Sequence, residues 1–311
     1  MTKKILYQIV KISVSCGLIF IIVRNINFIR LGGTLANSNK LLLVSAFVLA
    51  VFDNGLINGY KWREILSSYE INVPFKKVCS YYFIGMFFNL FMPSTIGGDL
   101  IRGHYMSRES DNKTMSYISV IIDRLSGLLG LLINSIIAVF LAYQFGIKTK
   151  AINLILILLF LSLFSLWLIY NRELWSRFKL LHVIFVRLKI EEVAKKIYEA
   201  IYAYKNKKKL AIYLIFLSFV FQFITVVVNY LVALALGVNV PFVYFWIFIP
   251  LICLVTMLPI SINGIGLRDI SYITCFATLG IPAASAFAIS LAVLSIVIGM
   301  GLIGGLVYAA E

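Results

Sequence analysis

Apolar stretches long enough to cross a bilayer recur along almost the whole chain, and they constrain its fold more than any other feature. A hydrocarbon core about 30 Å thick takes about 20 apolar residues in helical form. Six segments qualify, at about 5–23, 41–60, 115–143, 151–170, 210–236 and 283–308. With every backbone group needing a partner away from water, segments of this length are read as helices. The chain is therefore expected to be an all-α integral membrane protein, one polytopic domain over residues 1–311. With 61% hydrophobic and 13% charged residues, little is left for a soluble domain. The first run follows Lys3 and Lys4 like a signal peptide, but Gln8 and Lys11 interrupt it and no A-x-A site closes it. It reads as a retained span.

Two further apolar regions are broken. Residues 78–94 are short for a span and run into P-S-T-I-G-G, while 242–261 carry Pro250 and Pro259 and run into S-I-N-G-I-G. Such breaks are tolerated at membrane depth only inside protein or along a polar cavity. The charge pattern says how the first one lies. The net charge of +15 sits largely in loops, with eleven Lys and Arg in the 171–209 linker. That linker is expected to be cytoplasmic, together with the N-terminus and a basic 61–77 loop. Spans 115–143 and 151–170 already supply the even number of crossings this requires, so 78–94 must enter and return on one side as a re-entrant hairpin. Only Arg24, Arg30, Lys40, Lys148 and Lys150 then fall in outer loops. The expected location is the cytoplasmic (inner) cell membrane. Because the basic residues border apolar segments, anionic lipid headgroups are the expected partner and nucleic acid is not.

An internal repeat addresses the second break. Pro93-Ser94-Thr95-Ile96-Gly97-Gly98-Asp99-Leu100-Ile101-Arg102 aligns without a gap to Pro259-Ile260-Ser261-Ile262-Asn263-Gly264-Ile265-Gly266-Leu267-Arg268. Repeat 1 covers about 41–143 and repeat 2 about 210–308, with the basic linker between them. Two hairpins facing opposite sides form an inverted repeat, whose substrate site lies between the halves near the midplane.

Ionisable groups inside the membrane are expensive and normally face a cavity or a partner. Asp53 lies in the second span, Asp123 and Arg124 in S-V-I-I-D-R-L-S-G, and Asp99, Arg102, Arg268 and Asp269 on the hairpins. Arg102 and Arg268 suit a lipid phosphate, because guanidinium binds phosphate oxygens in a bidentate fork. Gly97, Gly98 and Gly264 would let backbone N–H groups approach the same anion. Asp53 and Asp123 are candidate proton carriers. The competing reading makes all of these structural ion pairs that hold broken helices together. Cys16, Cys79, Cys253 and Cys275 form no CxxC motif or Cys/His cluster, so no metal or cofactor is expected. His104 is read as a cap at the hairpin exit and His182 as having no specific role. Ile190, Val193, Ile197, Ile201 and Tyr204 recur at helical spacing, which suggests an amphipathic helix on the inner leaflet.

The set F-F-N-L-F-M-P-S-T-I-G-G-D-L-I-R, S-V-I-I-D-R-L-S-G-L-L-G and L-P-I-S-I-N-G-I-G-L-R-D, with G-Y-K-W-R-E-I-L at residues 59–66, resembles the lysylphosphatidylglycerol synthase transmembrane-region family, also called flippase-like or UPF0104 proteins. Its members resemble the membrane half of the multiple peptide resistance factor, which moves lysyl-phosphatidylglycerol to the outer leaflet; others accompany surface glycan or glycolipid synthesis. The family pattern matches at Gly97, Gly98, Asp99, Arg102, Asp123, Arg124, Gly264, Gly266 and Arg268. It departs at Asp269, where the family suggests Glu, and at Asn263, where Gly is usual. The synthases carry a soluble aminoacyltransferase domain after the membrane region, whereas this sequence ends at Glu311, so lysyl transfer is not expected.

Three function classes follow. The first is a flippase for an anionic phospholipid, an aminoacyl-phospholipid or a polyprenyl-linked glycolipid; lacking a Walker A motif, it would draw on a gradient. The second is a scaffold for a cell-envelope biosynthesis enzyme, acting through the basic linker or as a homo-oligomer. The third is a membrane-embedded transferase with Asp99 or Asp123 as base, against which the absence of a dense His/Asp/Glu cluster counts.

Overall fold

Burying apolar surface on all sides while satisfying every backbone group drives this chain into helices packed on helices. The computed structural model describes residues 17–22, 24, 26–92, 96–110, 112–147, 150–170, 207–258, 261 and 264–311, and no strand occurs among them. In chain order the helices are α1 (Phe28–Ala36), α2 (Lys40–Phe52), a π-helical turn (Asp53–Asn58) continuing into α3 (Gly59–Ser67), α4 (Phe75–Phe91), α5 (Ile96–Met106), α6 (Lys113–Gln144), α7 (Lys150–Tyr170), α8 (Lys208–Ala235), α9 (Phe242–Thr256), α10 (Leu267–Ala277) and α11 (Ala283–Ala310).

Four continuous helices among the described residues are long and apolar enough to cross a membrane: Lys40–Ser67, Lys113–Gln144, Lys208–Ala235 and Ala283–Ala310. They match four of the six expected spans. Of the 5–23 span only 17–22 are described, as helix, and 151–170 is helical as α7. The amphipathic segment 190–204, His182 and Cys16 lie outside the described residues.

Three expectations are corrected. The second span does not stop at residue 60: it runs to Ser67, so Lys61 and Arg63 are helical and not in a loop. The reason is that Lys61 and Trp62 find buried partners on α6, detailed below. Pro250 does not break its segment. Helix α9 runs through it to Thr256, packed against α6 and α8, and a proline inside a helix packed in this way is tolerated. The stretch carrying Arg30 is not plain loop either but the short helix α1, whose N-cap Asn27 accepts the Arg30 N–H at 3.0 Å.

The two halves repeat element by element. Each begins with a 28-residue helix, Lys40–Ser67 or Lys208–Ala235. Each continues with a helix–break–helix unit, 17 and 11 residues in α4/α5 and 15 and 11 in α9/α10. Each closes with a long helix, α6 or α11. The identical tetrapeptide Asn-Val-Pro-Phe, at 72–75 and 239–242, opens both hairpin units. Its prolines share one conformation, φ −55° ψ 138° at Pro74 and φ −55° ψ 139° at Pro241. Packing is reciprocal across the halves: α4 lies on α11, and α9 lies on α6.

The two opening helices run antiparallel. The Asn39 N–H, just before α2, donates to the Ala235 carbonyl at the end of α8 at 2.7 Å, and Lys207 at the start of α8 donates to the Ser68 carbonyl just past α3. At this second end Lys77 meets Glu109 at 2.8 Å, and Tyr81 donates to the same carboxylate. These two hydrogen bonds, Lys77 first, hold the Glu109 carboxyl below the usual carboxylate range. Burial pushes the Glu311 carboxyl up, with Lys77 acting to lower it and Glu109 to raise it, so Glu311 lies at this end as well.

Glycine permits the closest approaches. A β-carbon on Gly304 of α11 would lie 2.0 Å from the Phe83 carbonyl oxygen of α4, and one on Gly98 would lie 1.9 Å from that of Gly85. Gly98→Ala and Gly304→Ala are therefore each expected to cost about 1–3 kcal/mol by forcing helices apart, read as a lower melting temperature in detergent. Gly32→Ala, where nothing lies within 4 Å, should cause no loss.

Candidate functional site

Helix α6 carries a stripe of small and polar residues, Ser116, Ser119, Asp123, Ser126, Gly130 and Asn134, at steps of three or four. All are buried, so this face looks into protein. Helix α3 packs on that stripe: Trp62 donates its indole N–H to Ser119 Oγ at 3.0 Å, and the Lys61 ammonium meets Asp123 Oδ1 at 3.1 Å and Ser218 Oγ of α8 at 3.3 Å. The π turn immediately before α3 has a wider repeat than an α-helix and so sets which face Lys61 and Trp62 occupy.

Helix α5 supplies the remaining charges. Asp99 and Arg102, three apart, share a face. Arg102 Nη2 meets Asp123 Oδ2 at 2.6 Å and its Nε lies 3.3 Å from Asp99 Oδ1, while Arg124 of α6 donates to Asp99 Oδ2. The result is a ladder of alternating charge, Lys61–Asp123–Arg102–Asp99–Arg124, that ties together α3, α5 and α6. The Arg102 guanidinium packs against the rings of Trp62 and Tyr82, with ring centroids at 4.8 and 4.7 Å, the two rings meeting edge to face beside it.

The ladder borders a cavity of about 330 Å³. Asn54, Asn58, Tyr82 and Asn89 line it from the first half, and Phe221, Gln222 and Met257 from the second. An apolar cleft of about 280 Å³, between α6, α7 and α9, shares Leu128 and Met257 with it. A charged chamber and an apolar groove are therefore neighbours.

The second half carries a smaller counterpart. Arg268 Nε donates to Ser290 Oγ of α11 at 3.1 Å and its Nη2 lies 3.4 Å from Asp269 Oδ1, while Ser290 donates to the same carboxylate. Asp269 also accepts the Gly266 N–H at 3.0 Å, capping α10. Gly264 and Gly266 adopt φ of 75° and 80°, which the turn into α10 requires and a side chain disfavours. Tyr272 donates to Asn229 of α8.

Of the expected residues, Asp99, Arg102, Asp123 and Arg124 are brought together. Arg268 and Asp269 are close to one another but do not line the cavity that Arg102 borders, so the two arginines do not converge on one ligand there. Arg102 is only 3% exposed. Paired with two carboxylates and packed against two rings, it serves as the centre of the ladder, and Arg124, with a side chain 44% exposed, is the ladder's more accessible cation. The Gly98 N–H is donated to Asn89 Oδ1 at 2.9 Å, and Gly98 serves the α4–α5 contact. A β-carbon on Gly97 would meet the Met92 side chain at 2.5 Å. Asp53 opens the π turn, 1% exposed, its Oδ1 without a hydrogen-bond donor among the described residues. His104 is exposed on α5, and no group of three or more His, Cys, Asp or Glu placed to hold a metal occurs among the described residues.

Sequence reasoning missed Lys61 and Trp62, because a lysine after an apolar run looks like a boundary marker. The signal that was available is the polar stripe on α6, which demands polar partners from a neighbouring helix.

Removing one partner from a buried ion pair strands the other, at about 3–5 kcal/mol. Arg102→Ala and Lys61→Met should therefore each lower thermal stability strongly, whereas Arg124→Gln, half in solvent, should cost about 1 kcal/mol or less. In a double-mutant cycle, Lys61→Met and Asp123→Asn together should be less damaging than the sum of the two.

Residues 8–305 match the family described as lysylphosphatidylglycerol synthase TM region. The chain is similar to UPF0104 membrane protein PH1989 of Pyrococcus horikoshii, 24% identical over 263 residues covering 76% of this chain and 77% of the relative. It is also similar to UPF0104 membrane protein MJ1595 of Methanocaldococcus jannaschii, 25% identical over 315 residues covering 94% of this chain and 90% of the relative. No solved structure matches.

Proposed function

The chain belongs to the lysylphosphatidylglycerol synthase transmembrane-region family, and from that premise we propose that it carries a lipid with an anionic headgroup from one leaflet of the membrane to the other. The observation that carries this reading is the shared lining of the charged cavity and the apolar cleft, which offers adjacent places to the two ends of an amphiphile. A site for a soluble ion has no use for the cleft, and a purely structural ion-pair cluster has no use for the cavity. Anionic phospholipids, aminoacyl-phospholipids and polyprenyl-linked glycolipids all fit at this level.

The architecture supports the same reading. Equivalent opening helices run antiparallel, and each hairpin packs against the other half's closing helix. In a bilayer this is an inverted repeat with two re-entrant hairpins. The end with Ser68, Lys77, Lys207 and Glu311 would face the cytoplasm and the end with Asn39 and Ala235 the opposite side, in the orientation that the basic linker favours. Opening alternately at each hairpin exposes a site between the halves to one leaflet at a time. Asp53 is the candidate proton carrier, and no covalent step is assigned to the chain.

Fluorescent-lipid translocation in liposomes tests the reading. Protein-dependent movement is expected, slowed at least tenfold by Arg124→Gln, and an imposed pH gradient should cease to affect the rate in Asp53→Asn. No protein-dependent movement of any anionic lipid would defeat it. In a background lacking the native cysteines, Glu70→Cys and Glu311→Cys should label from one side of the membrane and Ser38→Cys and Gly237→Cys from the other.

A further inference from the structure

We infer that the cavity selects a monoanionic phosphodiester headgroup and turns away one that carries added ammonium groups, the lipid chain lying in the cleft between α6, α7 and α9. This rests on the reading of the site as a lipid path and narrows it.

Among the described residues, the charged lining of the cavity is Lys61, Arg102 and Arg124 against Asp99 and Asp123. Three cations against two carboxylates leave one positive charge over. A phosphodiester brings one negative charge and makes the chamber neutral, whereas a headgroup of net positive charge adds to an excess that a low-dielectric site holds at a cost. The arrangement of the charges sharpens this preference. Each carboxylate is already bracketed by two cations: Asp123 by Lys61 at 3.1 Å and Arg102 at 2.6 Å, and Asp99 by Arg102 at 3.3 Å and by Arg124. An incoming ammonium would have to displace a cation in place, and a guanidinium packed against two rings is not easily displaced. An incoming phosphate meets Arg124, whose side chain is 44% exposed, while those of Lys61 and Arg102 are 3% and 4% exposed.

The chain's place follows from adjacency. Leu128 and Met257 belong to both the cavity and the cleft, and the cleft continues along Leu158, Leu161, Leu254 and Leu258. Leu161, Met257 and Leu258 are 53%, 52% and 39% exposed, so the groove opens to the surroundings, which in a bilayer are acyl chains. An acyl chain leaving the headgroup there stays in apolar contact throughout, at no cost in buried polar surface.

The test is binding to the purified full chain in detergent, read by native mass spectrometry and thermal shift, so that transport is not required. Short-chain phosphatidylglycerol, its lysylated form and the soluble glycerophosphoglycerol headgroup are compared. Phosphatidylglycerol is expected to bind at least tenfold tighter than the lysylated lipid, and the free headgroup at least tenfold weaker than the lipid. Arg124→Gln should abolish the preference, Arg124→Lys should keep it, and Leu161→Trp, which fills the cleft, should weaken the lipid but not the free headgroup. Equal or tighter binding of the lysylated lipid, or a preference unchanged in Arg124→Gln, overturns the assignment. Free headgroup binding as tightly as lipid would identify a soluble phosphodiester site and overturn the role of the cleft. A preserved preference without movement in liposomes would defeat the transport reading and leave this one standing.

Discussion

Asp123 is the interaction on which the rest of the site depends. Its carboxylate is buried on α6 between Lys61 of α3 and Arg102 of α5. Neither cation could be held at that depth without it, nor it without them, because an isolated charge in a low-dielectric interior costs several kcal/mol. The three helices therefore have one mutually consistent arrangement, and the aromatic faces of Trp62 and Tyr82 fix the plane of the guanidinium within it. The cavity is what remains open beside this fixed frame, and its electrical character is the ladder's remainder.

Much of the frame was legible in the sequence. Span lengths followed from apolar runs, and four of the expected spans became continuous helices because bilayer thickness leaves little freedom in length. The aligned Pro-to-Arg segments found the two breaks, although the matched Asn-Val-Pro-Phe starts at 72 and 239 are a shorter and more exact marker of the same two regions. What sequence could not deliver was the depth of Lys61. Charge near the end of an apolar run is the ordinary sign of a water boundary, and only a carboxylate from a segment some sixty residues later makes burial tolerable. The same holds for Arg102, whose residue type suggested a phosphate grip. Its actual partners come from several helices, and no spacing rule anticipates the two rings packed against it.

The halves share a frame but not a charge inventory. Where the first half sets a hairpin arginine against Asp123 of its closing helix, the second sets Arg268 against Ser290 of its own, and the carboxylate comes from the neighbouring Asp269. A hydroxyl needs no counter-ion, so this version can be smaller and does not need a chamber around it. The two halves share the element order that sets a broken helix beside a long one and differ in the charges placed there.

The reciprocal seating of α4 on α11 and α9 on α6 has a consequence in time. Helix α4 is made well before α11, so the contact between them can form only after the helices in between have been synthesised. Until then α4 rests on α3, the π turn and α5, and the 28-residue α11 completes its packing. Shortening α11 would therefore loosen a hairpin in the opposite half of the chain.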